Sequence, residues 1–227
     1  MAATTPRSRA SWARRGLAHR GPLDRTTQAM LLRQLYLSHF AQRDFERAFN
    51  VAVQALALDV LPDVIHQDAA RAKQAAGDAE AAVGHLRLAA RLGPPSRKAF
   101  HLWTMGSVLF LARRYKEAIL ALSRAARWGT TDKPLYLGHL ALAKLAAGAS
   151  VRGVDRLIRE LDRCPAGQGY GQFVLGLLSH HVGRAEQARR YLERFVSRVS
   201  RSQPSLAISL EGEMDLARQA LGLQSMQ

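Results

Sequence analysis

Residues 99–132, AFHLWTMGSVLFLARRYKEAILALSRAARWGTTD, decide the fold. Gly106 sits inside an apolar run of helical period, Arg113 follows seven residues later at a break, and Tyr115, Ala118 and Leu122 lie nine, twelve and sixteen residues after Gly106. Two antiparallel helices approach closely only where the facing residues lack bulk. A small residue in each helix, separated by a short turn, therefore predicts a tight helix hairpin, with the larger apolar residues filling the space between hairpins.

The pattern recurs on both sides of that stretch. The position of Gly106 is taken by Tyr36, Ala70, Ala141 and Gly176, so the five stand at intervals of 34, 36, 35 and 35. Twelve residues after each come Ala48, Ala82, Ala118, Gly153 and Ala188, and sixteen after each come Ala52, Leu86, Leu122, Leu157 and Leu192. Gly77, Gly148 and Gly183 stand at the turns, with Arg43 and Arg113 at the corresponding places.

This spacing resembles the tetratricopeptide repeat, a helix-turn-helix unit of 34 residues stacked in series. Pro94 and Pro165 fall where the last turn of that unit often carries proline. The resemblance implies an all-α, right-handed solenoid of five helix pairs, at 29–62, 63–96, 99–132, 134–167 and 169–202, covering about three-quarters of the chain. Tyr36 in place of a small residue, Arg43 and Arg113 at turns that prefer glycine, and Gly153 in place of alanine depart from the pattern.

A serial stack exposes an apolar face at each end unless something covers it. After Pro204, the residues Leu206, Leu210, Met214, Ala217 and Leu221 form a helical stripe, with Glu211, Glu213, Asp215, Arg218 and Gln219 off it. This predicts a capping helix over 204–223 that turns its acids to solvent, followed by a tail at 224–227.

Residues 1–28 hold Arg7, Arg9, Arg14, Arg15, Arg20 and Arg25 against the single acid Asp24, with Pro6, Gly16, Gly21 and Pro22 among them. Composition predicts a disordered basic arm, and an organelle-targeting segment or an arm for an anionic partner are the alternatives. Because 28 of the 33 basic residues are arginine, the chain reads as the product of a GC-rich bacterial genome, which favours a cytoplasmic protein over an imported one. No run of eighteen apolar residues predicts a membrane span. The lone Cys164 rules out an intrachain disulfide.

In proteins of the resembling family, the first helices of successive repeats line a concave groove. Carried onto this chain, the partner-binding candidates are Arg71 in the second repeat and Phe100, Trp103, Ser107 and Phe110 in the third. Leu135 and Leu142 follow in the fourth, and Tyr170, Phe173, Leu177 and His180 in the fifth. Aromatic side chains supply large contact area at modest entropic cost, which suits an apolar peptide or amphipathic helix of another protein. The carboxylate clamp by which some family members grip an acidic chaperone tail has no match in any three consecutive repeats. The implied function is therefore an adaptor or chaperone-like module with a mainly apolar ligand.

Two rivals use other features. A structural subunit of a larger assembly, or a self-associating chain, would bury the same apolar face permanently. A nucleic-acid-associated protein would use the basic arm and the arginines of the second helices, which supply much of the net charge of +15. No cofactor, metal or catalytic constellation is expected: the adjacent His180 and His181 point about 100° apart on a helix and do not chelate as an i,i+4 pair would. No glycine-rich phosphate loop follows a strand pattern, so an enzyme is not expected.

Overall fold

The computed structural model describes residues 5–222. Among the described residues there are thirteen α-helices, one 3-10 turn and no strand. Helices pack on their neighbours in sequence order, as an all-α, solenoid-like fold requires. The helices fall into two compact units, residues up to Arg97 and residues from Lys98 onward.

The first unit contains α1 (Pro6–Leu17), α2 (Arg25–Ala41), α3 (Phe45–Leu56), α4 (Pro62–Ala75) and α5 (Ala79–Leu92). α1 replaces the disorder expected of the basic arm. Thr5 Oγ1 accepts the N–H of Ser8, Pro6 occupies the first turn, and Ala10 and Ala13 are buried. Ser38 on α2 donates to the Pro6 carbonyl, and a side chain added at Gly16 would meet Leu31. α1 thus runs antiparallel to α2. Its composition forbids folding alone, but α2 supplies the apolar surface that composition cannot reveal. Buried charge ties the later helices of this unit together: Asp68 on α4 receives Arg33 Nε of α2 at 2.6 Å, and Asp63 lies 3.0 Å from Arg97 Nε.

The second unit contains most of α6 (Pro95–Leu111), then α7 (Tyr115–Trp128), α8 (Lys133–Ala146), α9 (Val154–Arg163), the 3-10 turn Pro165–Gln168, α10 (Gly171–His181) and α11 (Ala185–Ser200). α12 (Pro204–Ser209) and α13 (Glu211–Ala220) complete it. A side chain added at Gly106 would lie 2.5 Å from Leu122 Cγ, and one at Gly176 would lie 2.4 Å from Leu192 Cδ2. The small residue of one helix thus faces, within its own hairpin, the large residue sixteen further on, which the spacing assigns to the space between hairpins. In the first unit the sizes are exchanged. Tyr36 and Ala52 line the same small void between α2 and α3, so the bulk that Tyr36 adds is removed at its partner position.

Five turns share one geometry. Arg43, Gly77, Arg113, Gly148 and Gly183 all have positive φ, from 57° to 83°. At each, the N–H of the following residue (Asp44, Asp78, Arg114, Ala149, Arg184) reaches the carbonyl five residues back, closing the helix as a Schellman motif. Asp44 and Asp78 then cap the second helices through their side chains.

Two expectations fail locally. Gly153, assigned to the small position inside a second helix, is instead the left-handed residue that precedes α9, with φ 72°. Without a side chain it gives the chain a way to turn late, and α9 is correspondingly short. The capping helix is two helices, because Leu210 leaves helical geometry at φ −115° and ψ 15°. The expected tail at 224–227, with Leu223, lies outside the described residues.

Candidate functional site

The candidates of the third to fifth repeats gather in the second unit around one cluster of rings. Trp103 of α6 meets Tyr170 edge-on at 4.8 Å between centroids, Tyr170 meets Phe173 at 5.5 Å, and Phe110 meets His139 of α8 at 5.2 Å. Phe100 lies 5.8 Å from Trp103, and Phe195 of α11 closes the far side against Phe173 at 5.4 Å. Such offset and edge contacts favour ring packing beyond the area they bury.

Burial divides the candidates. Leu142 and Phe173 are fully buried, and Ser107, Phe110, Leu135 and Leu177 nearly so, which makes them packing residues of the unit. Phe100, Trp103 and Tyr170 are half-buried, and His180 is exposed. Arg71 stands apart in the first unit, 3.9 Å from Asp68.

What covers the ring cluster is the chain's own C-terminal helix. Glu213 of α13 is buried, and its Oε1 accepts hydrogen bonds from Ser107 Oγ at 3.2 Å and from the Tyr170 hydroxyl at 3.0 Å. The two hydroxyl oxygens are themselves 2.8 Å apart, within hydrogen-bond distance of each other, so two hydroxyl protons are shared among three close contacts. Met214 and Ala217 are buried beside Glu213, and Gly212 passes against Leu111 of α6 so closely that an added Cβ would lie 3.2 Å from it. Glu211, Asp215 and Gln219 remain at the surface.

The expectation that Glu213 faces solvent is therefore overturned. Leu210, Glu213, Met214, Ala217 and Leu221 stand at i, i+3, i+4, i+7 and i+11, so Glu213 belongs to the apolar stripe by position although its side chain is charged. Sequence reasoning also passed over His139, which has no exposed surface.

Burial dominates the electrostatics. Burial pushes the Glu213 carboxyl up to about 7, against the opposing pull of the hydrogen bonds from Tyr170 and Ser107. Burial holds His139 down to about 3, so its imidazole is neutral. Several polar atoms here have no partner: Glu213 Oε2, both ring nitrogens of His139, and Trp103 Nε1. Each such buried group costs about 1–3 kcal/mol relative to a satisfied one.

Among the described residues, no group of three or more metal-ligating side chains occurs, and no helix is long and apolar enough to cross a membrane. A separate, mainly cationic face lies on α11 and its capping residue Arg201, where Arg190, Glu193, Arg194, Ser197, Arg198 and Arg201 surround a shallow concavity. Neither a family model nor a curated protein matches the chain.

Proposed function

We propose that the chain is a non-catalytic, tetratricopeptide-like interaction module whose second unit holds an amphipathic helix of a partner protein. The observation that carries this reading is the seat of α13: a helix that turns Glu213, Met214 and Ala217 inward and leaves Glu211 and Asp215 at the surface is hydrogen-bonded through Glu213 to Ser107 and Tyr170. A face that accommodates one such helix has the shape and chemistry to accommodate another.

The test is photocrosslinking from the rim of the seat. The intact chain, with Trp103 replaced by benzoylphenylalanine, is irradiated in lysate of its source at roughly 0.5 M salt, where exposed charges are strongly screened. The expected product is a crosslink to a helical segment of another protein. Crosslinks confined to residues 203–222 of the same chain, or to nucleic acid, overturn the proposal.

A further inference from the structure

We propose that α13 is a displaceable occupant of this face, and that the partner which takes its place is an amphipathic helix presenting a carboxyl group to the Ser107 and Tyr170 hydroxyls. The inference rests on the helix-holding function proposed above and adds to it the chemistry of the ligand and the identity of its competitor.

Three observations carry it. The first is the built recognition pair: two hydroxyls on different elements, Ser107 on α6 and Tyr170 just before α10, converge on a single carboxyl oxygen. A carboxyl oxygen can accept from both, whereas an apolar side chain in that place would leave the pair bonded to each other with one hydroxyl proton lacking an acceptor. The next is the attachment of α13. It follows a six-residue helix in which only Ile208 is buried, Leu206 is half exposed, and the helical path breaks at Leu210. Little apolar area therefore holds the segment between Ser202 and α13, so α13 can leave without unfolding α11.

The last is incomplete satisfaction. On the receiving face, the His139 nitrogens and Trp103 Nε1 find no partner while α13 is seated. An external helix that supplies a donor or acceptor to even one of these atoms gains what α13 forgoes. The advantage of α13 is its tether, which gives it a local concentration in the millimolar range. A ligand with better polar matching competes against that tether.

The probe is a fluorescent peptide with the sequence of residues 203–222, and a second peptide carries alanine in place of Glu213. Both are titrated into the intact chain and into its Glu213→Arg variant, in which a buried guanidinium facing two hydroxyls ejects α13. The Glu peptide should bind the variant at least about tenfold more tightly than the wild-type chain, and the Ala peptide about tenfold more weakly than the Glu peptide. Adding Ser107→Ala to the variant should shrink that difference between peptides.

Equal binding of both peptides to the folded variant overturns carboxyl reading and leaves the helix-holding function standing. Absence of binding by either peptide removes both. If Glu213→Arg does not fold, hydrogen exchange on the wild-type chain decides. Excess Glu peptide should accelerate exchange of the amides of α13 while those of α10 hold, and an unchanged α13 overturns the proposal.

Discussion

Arg43 and Arg113 occupy backbone that glycine occupies in the other three turns. A left-handed conformation costs a residue with a Cβ about 1–2 kcal/mol, while glycine loses roughly 0.5–1 kcal/mol more entropy on folding than other residues. The first term is the larger, so Arg113→Gly should stabilise the second unit by about 0.5–1 kcal/mol, measured by denaturant midpoint at unchanged slope. A loss of stability would mean that the Arg113 side chain supports its turn. At this scale the turns were legible, because three glycines marked a required φ and spacing carried the requirement to two arginines. Glu213 was hidden by the opposite habit, since a carboxylate on a helix is usually at the surface and only its register pointed inward.

α13 contributes a carboxyl whose protonation sets how firmly the element is held. Its value is about 7 when seated, against 4.5 for the same group free in solution, so the seated form binds more protons between those values. The contribution to seating is greatest below about pH 4.5, falls as pH rises, and levels off above about 7, a change on the order of 3 kcal/mol. The groups facing Glu213 are the Ser107 and Tyr170 hydroxyls, with His139 behind Tyr170 at 5.9 Å between rings; no charged group of α11 or α12 enters its shift. His139 acts in the other direction. Held at about 3 against an ordinary 6.5, it lends stability to α8 and its surroundings that grows as pH rises between those values. A global melt therefore mixes two opposing trends, and a local probe is needed. Exchange of the α13 amides, corrected for intrinsic rate, should speed up by as much as about a hundredfold between pH 5 and 8 in the wild type and stay flat in Glu213→Gln. Equal profiles would remove Glu213 as the titrating group.

At the scale of the molecule, each unit completes its own stack with a segment that composition marked as accessory. α1 covers α2 in the first unit, and α13 covers the ring cluster in the second. Deleting residues 1–17 exposes the face of α2 that Ala10 and Ala13 cover, at a cost of about 1–3 kcal/mol. Exchange of α2 amides should accelerate while α10 amides keep wild-type protection; uniform acceleration would show that the units unfold together. The helix pairs were legible because each is a local pattern repeated at a fixed period. The covering segments were not, because they pack by contacts with elements outside that period, and α1 has a composition that reads as unfolded when considered alone.

The exchange of bulk between Tyr36 with Ala52 and Gly106 with Leu122 bears on how such a chain can be recombined. A hairpin carries both halves of its size match within about thirty residues, so a crossover between hairpins moves a complete match into a new neighbourhood. A crossover at the turn inside a hairpin would set Tyr36 against Leu122, or Gly106 against Ala52, crushing one interior and hollowing the other. Whole hairpins are the unit that can be shuffled, duplicated or grafted from this chain.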